Sequence, residues 1–97
     1  MILHVVLLRP KPEVSLAQIQ IALDHVKDLQ HKVPGILEVD AGANKNESNN
    51  KGYTYGFAMR FVDETHLQAY APHPEHRVVG AELVQLCESI IDFDLPL

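Results

Sequence analysis

The chain has 97 residues, 46% of them hydrophobic, and a formal net charge of −5. That length fits one domain, residues 1–97, and the apolar content excludes an intrinsically disordered chain. Its 8 Lys and Arg are scattered and form no basic stripe that would track phosphates, so nucleic acid is not an expected partner.

Ile2 to Leu8 reads as a strand that Arg9-Pro10-Lys11-Pro12 ends. Both of its alternating faces are apolar: Leu3, Val5 and Leu7 on one, and Ile2, Val6 and Leu8, with His4, on the other. This stretch lacks a positive flank and a small-residue cleavage site, and it is too short to span a bilayer. Ser15-Leu16-Ala17-Gln18 has capping-box spacing and opens a helix. Its apolar stripe runs through Leu16, Ile19, Leu23, Val26, Leu29 and Val33, and Pro34-Gly35 stops it. Ile36 to Ala41 is a second, more clearly alternating strand. Gly42 to Gly52 is a polar surface loop, part of which continues the flanking strands.

Tyr53 to Val62 is the strongest strand, with Tyr53, Tyr55, Phe57, Met59 and Phe61 on one face. Its other face, Thr54, Gly56, Ala58, Arg60 and Val62, is small and only partly polar. Asp63-Glu64 open a second helical region that carries Leu67 and Tyr70. Pro72 and Pro74 interrupt it, and Pro74 suits the first turn of a new helix through Val78, Val79, Leu83 and Leu86. Ser89 to Leu95 alternates as a last strand, with Ile91, Phe93 and Leu95 together. Cys87 is the single cysteine, so no intrachain disulfide forms. It reads as an inert packing residue, and a reducing, cytoplasmic setting is expected.

The order β-α-β-β-α-β predicts an α+β, ferredoxin-like fold: a four-stranded antiparallel sheet with two helices on one face. Two helices cover one face only, yet the first and third strands are apolar on both. An antiparallel sheet with a solvated face should alternate apolar with polar. The second face is therefore expected to meet a second copy of the chain, giving a homodimer through the sheet.

Chemistry concentrates in Tyr70-Ala71-Pro72-His73-Pro74-Glu75-His76, which holds a phenol, two imidazoles and a carboxylate in seven residues. Histidine titrates near neutral pH and serves as a general base, and a tyrosine hydroxyl can hold an oxyanion. The pair suits proton abstraction next to a carbonyl. The same segment also has a structural reading. In that reading His73 caps the helix opened by Pro74, Tyr70 is a core residue with a wet hydroxyl, and His76 lies on the surface. His4, in an apolar strand, is either a satisfied core histidine or a ligand-facing one. His25, His31 and His66 read as solvated. No third ligand accompanies His73 and His76 at metal spacing, so a structural zinc site is not expected.

Strand-borne His4, the Pro34-Gly35-Ile36 turn, the run Gly52-Tyr53-Thr54-Tyr55-Gly56-Phe57 and the segment Tyr70-x-x-His73-Pro74-x-His76 occur in this order. Together they resemble the stress-responsive α/β-barrel (Dabb) domain family over about residues 2–95. The resemblance implies a dimer whose two sheets close into a barrel. The family includes plant stress-induced proteins, a plant polyketide (olivetolic acid) cyclase that closes a ring by aldol chemistry, and many members without assigned activity. On that likeness Tyr70 and His76 are the candidate catalytic residues. His76 would be the base and Tyr70 would polarise a carbonyl. His4, Tyr55, His73 and Phe57 are the candidate lining of a cleft for a small apolar or carbonyl-containing ligand. The cyclase carries a histidine where this chain has Tyr55, so a different polar lining is expected here. No cofactor is implied, apart from a magnesium ion held by backbone oxygens of the Val33–Val39 turn. A non-catalytic protective dimer and a monooxygenase-like dimeric barrel stay open as alternatives.

Overall fold

The computed structural model describes all of residues 1–97. Strand β1 (Ile2–Pro10) leads through a capped turn into helix α1 (Leu16–Asp28), which tightens into a 3-10 turn at Leu29–His31. Strands β2 (Ile36–Ala43) and β3 (Tyr55–Phe61) follow, then α2 (Glu64–Tyr70), α3 (Pro74–Leu86) and strand β4 (Cys87–Pro96). The strands form one antiparallel sheet in the order β2-β3-β1-β4.

Local chemistry explains the element ends. The Ser15 hydroxyl accepts from Gln18 N–H at 3.1 Å, and the Gln18 side chain accepts from Ser15 N–H at 2.9 Å. This reciprocal box satisfies two donors that a helix start leaves orphaned. Gly35 turns the chain with φ +90°, and a Cβ there would collide with the His66 side chain, so only glycine fits. Asp63 caps α2 by accepting from His66 N–H at 2.9 Å, and this bond holds its carboxyl below the ordinary range.

The helices cover the sheet face that carries His4, Val6 and Leu8. Ile19, Ala22, Leu23 and Val26 of α1 pack there against Phe57, Met59 and Phe61 of β3. The opposite face stays bare. Leu7 (38%), Ile91 (42%), Phe93 (57%) and Leu95 (41%) are all exposed on it.

Several expectations change in detail. The helical layer holds three helices rather than two, because Tyr70 ends α2 and Pro74 begins α3 as a separate segment. β1 runs on through Pro10, which pairs with β4 alone beside a register shift, so its missing N–H costs no ladder bond to β3. Tyr53 precedes β3 rather than belonging to it. Leu16 and Val78 are exposed instead of lying on the buried stripes. The inner stripe of α3 is His76, Val79, Leu83 and Leu86, and Val78 is rotated about 100° away from it. Leu16 stands in the first turn, ahead of the packed stretch that starts at Ile19.

Candidate active site

Three elements bring their polar side chains together on the covered face. Strand alternation turns His4 inward from β1, where it is 7% exposed. Tyr70 closes the inner stripe of α2 and is 4% exposed. His76 lies in the first turn of α3, three residues before Val79, so helical spacing turns it toward the sheet. The His4 and Tyr70 ring centroids are 5.6 Å apart edge to face, and those of Tyr70 and His76 are 4.2 Å apart. Phe61 packs edge-on against both His4 and Tyr70.

Hydrogen bonds orient both imidazoles. The Nδ1 of His76 lies 2.9 Å from the Ala71 carbonyl oxygen. A carbonyl only accepts, so Nδ1 carries the proton and Nε2 is left as the basic lone pair. The Nδ1 of His4 lies 2.5 Å from Asp94 Oδ1, its cross-strand neighbour on β4. The carboxylate fixes that ring in the same way. The Tyr70 hydroxyl has no hydrogen-bond partner within the chain. Burial, and then the nearby Asp92 charge, push its pKa well above the ordinary 10.0, so it stays a proton donor.

Two cavities meet at this cluster, both bordered by His4, Tyr70, His76 and Asp92. One, about 480 Å³, runs between α3 and the sheet among Val6, Val26, Phe57, Val79, Leu83 and Ile90. The other, about 580 Å³, opens toward α2 and the end of β4 past Glu64, Gln68 and Asp94. Each falls in the range that small-molecule sites occupy, roughly 300–1,000 Å³. An imidazole oriented by its Nδ1, a tightly held phenol proton and an apolar chamber in one place are the parts that proton transfer at a carbonyl compound requires.

The expected lining residues separate here. Phe57 borders the apolar cavity. Tyr55 does not: it pairs with Leu8, whereas His4 pairs with Met59, four residues along β3. That offset is about 13 Å at strand rise, and Tyr55 lies outside both cavities. Tyr55 borders a shallow depression with Leu7, Gly42 and Asn44 instead. His73 borders neither cavity. Its Nδ1 accepts from Glu75 N–H at 3.1 Å and caps α3. Asp92 and Asp94 were not anticipated. Their signal was available, since Ile91, Phe93 and Leu95 share one face of β4 and the two aspartates must share the other.

No group of three His, Cys, Asp or Glu side chains converges with metal-binding geometry. In the turn expected to hold magnesium, the Gly35 carbonyl accepts from Val62 N–H at 2.9 Å and the Leu37 carbonyl from Gln30 Nε2 at 2.8 Å. Both oxygens already have partners within the protein.

The β2-β3-β1-β4 sheet with helices on one face defines a ferredoxin-like α+β protein. Within that class the chain belongs to the stress-responsive A/B barrel domain (Dabb) family, matched over residues 2–97. A dimeric ferredoxin-like protein of unknown function from Jannaschia sp. CCS1 is 34% identical, over 99% of this chain and 98% of that one, with a TM-score of 0.87. The Arabidopsis thaliana protein At3g17210 is 20% identical over 100% of this chain and 95% of its own, with a TM-score of 0.92. A hydroxynitrile lyase from Passiflora edulis is 20% identical over 99% and 92%, with a TM-score of 0.90. At that identity the last two share the fold alone. No curated protein matches the chain.

Proposed function

We propose that the protein is a homodimer whose protomers each carry an acid–base site for small carbonyl compounds. The observation that carries this reading is the packing of Tyr70 on His76, 4.2 Å apart, where two cavities join. In this reading His76 Nε2 takes a proton from the carbon next to a substrate carbonyl. The electron pair moves onto the carbonyl oxygen, and the Tyr70 hydroxyl donates to the resulting enolate. The enolate carbon then attacks a second carbonyl, as in aldol ring closure, or recovers the proton. His4, aligned by Asp94, borders the same space and is placed to hold a second polar group of the ligand. The hydroxynitrile lyase relative fits this class, because cyanohydrin cleavage also turns on proton transfer beside a forming carbonyl. The dimer is supported by the bare apolar face and by relatives described as dimeric.

Deuterium uptake from heavy water at the α-carbon of an aryl ketone, followed by NMR, tests the base. Wild type should accelerate exchange, and His76→Ala should lose about 10²–10⁴-fold of that acceleration. Equal, background-level rates for the two proteins would sink the reading.

A further inference from the structure

The two halves of the cleft differ in charge. The chamber beside α2 is bordered by Glu64, Asp92 and Asp94, together with His4, His76 and Tyr70, and by no Lys or Arg. Asp94 is engaged by His4, whereas Glu64 and Asp92 enter no ion pair. The apolar chamber has a single cation, Arg77, which is exposed to solvent on α3 and so largely screened by it. A separate feature points to a ligand in this space. Tyr70 is 4% exposed and borders both chambers, yet its hydroxyl finds no partner in the protein. The oxygen itself keeps some exposure, so it opens on the cleft and is free to bond a polar group there. Glu64 and Asp92 are exposed as Arg77 is, so each is screened, but no cation borders this chamber and their fields add to repel an anion.

We propose that the cleft selects a cationic amphiphile, an amine-bearing carbonyl compound. Its ammonium sits beside Glu64 and Asp92, its carbonyl oxygen meets the Tyr70 hydroxyl, and its apolar body lies among Val6, Val79, Leu83 and Ile90. This rests on the carbonyl reading above and names its substrate class. An ammonium next to the carbonyl also withdraws electrons and makes the neighbouring carbon more acidic, which eases the removal of its proton. Carboxylate substrates are excluded by like charge.

Three probes with one aromatic tail test the charge selection: 2-phenylethylamine, 2-phenylethanol and phenylacetate, titrated by ligand-observed NMR into the whole protein at about pH 7.5, where carboxylates are ionised. The amine should bind at least about tenfold more tightly than phenylacetate, with the alcohol between them. The double variant Glu64→Gln/Asp92→Asn should shrink that advantage to about threefold or less while binding the alcohol as before, which also shows that the variant is folded. Phenylacetate binding as tightly as the amine would overturn the selection. So would an amine advantage that survives the double substitution. If none of the three binds, the cleft is not a ligand site and both proposals fall. Loss of the His76-dependent exchange alone, with the amine preference intact, would sink the catalytic reading and leave the charge selection standing.

Discussion

The two faces of the sheet are built from the same strands and do opposite things. On the covered face β1 presents Ile2, His4, Val6 and Leu8, and β4 presents Ile90, Asp92 and Asp94 opposite them. On the bare face the same strands present Leu3, Val5 and Leu7 against Ile91, Phe93 and Leu95. The covered face is the core, with His4, Asp92 and Asp94 as its polar insertions toward one end. The bare face is apolar along β1 and β4, with Glu38, Asp40 and Arg60 confined to the β2-β3 side. A monomeric sheet would turn a more uniformly polar side to water. The comparison teaches that the helical layer shelters a polar cleft as well as a core, and that the β1-β4 side of the bare face is made for contact.

The strongest way to break this comparison is to cut one large apolar side chain from each face. Leu23 is 1% exposed in the core, so Leu23→Ala should destabilise by about 2–5 kcal/mol in denaturant unfolding. Phe93→Asp should leave the fold standing and instead convert the dimer to a monomer in sedimentation equilibrium. A Phe93→Asp protein that stays dimeric would mean that copies associate elsewhere.

Tyr70 sharpens the covered side. Its phenol holds its proton above the ordinary 10.0 in the folded chain, chiefly because it is buried. As pH rises past 10.0 the unfolded chain loses that proton while the folded chain keeps it, so stability should fall from there upward. Tyr70→Phe should remove this alkaline component of a pH–stability profile. An unchanged profile would mean that the hydroxyl is not sheltered.

Ser15 gives the smallest effect, because it touches neither face. It only starts the helix that covers one of them. Ser15→Ala should cost about 1 kcal/mol in thermal unfolding and leave ligand binding unchanged.

Much of this was legible in local pattern. The Ser15 cap, the Gly35 turn, the alternation of β3 and the proline that opens α3 depend on neighbours within a few residues. The two-faced apolar character of β1 was readable in the same way, and it pointed to the bare face before any topology was known. The site was legible only where helix spacing or strand alternation carried it. His76 shares a stripe with Val79 and Leu83, and His4 shares a strand face with Val6 and Leu8.

Tyr55 shares a strand face with Phe57 yet borders a different depression, because sharing a face says nothing about how far along the strand a cavity extends. His73 lies beside His76 in sequence but points to its own helix backbone, since a residue just before a helix is best used as its cap. The sequence by itself thus determined the elements, their caps and which residues share a face, because those follow from backbone periodicity. Only the tertiary structure decided that Asp94, 90 residues from His4, sits at hydrogen-bond distance from it, and that Tyr70 and His76 close over the same pair of chambers. Strand register and helix docking set those contacts, and both arise from packing of the whole chain rather than from any local run of residues.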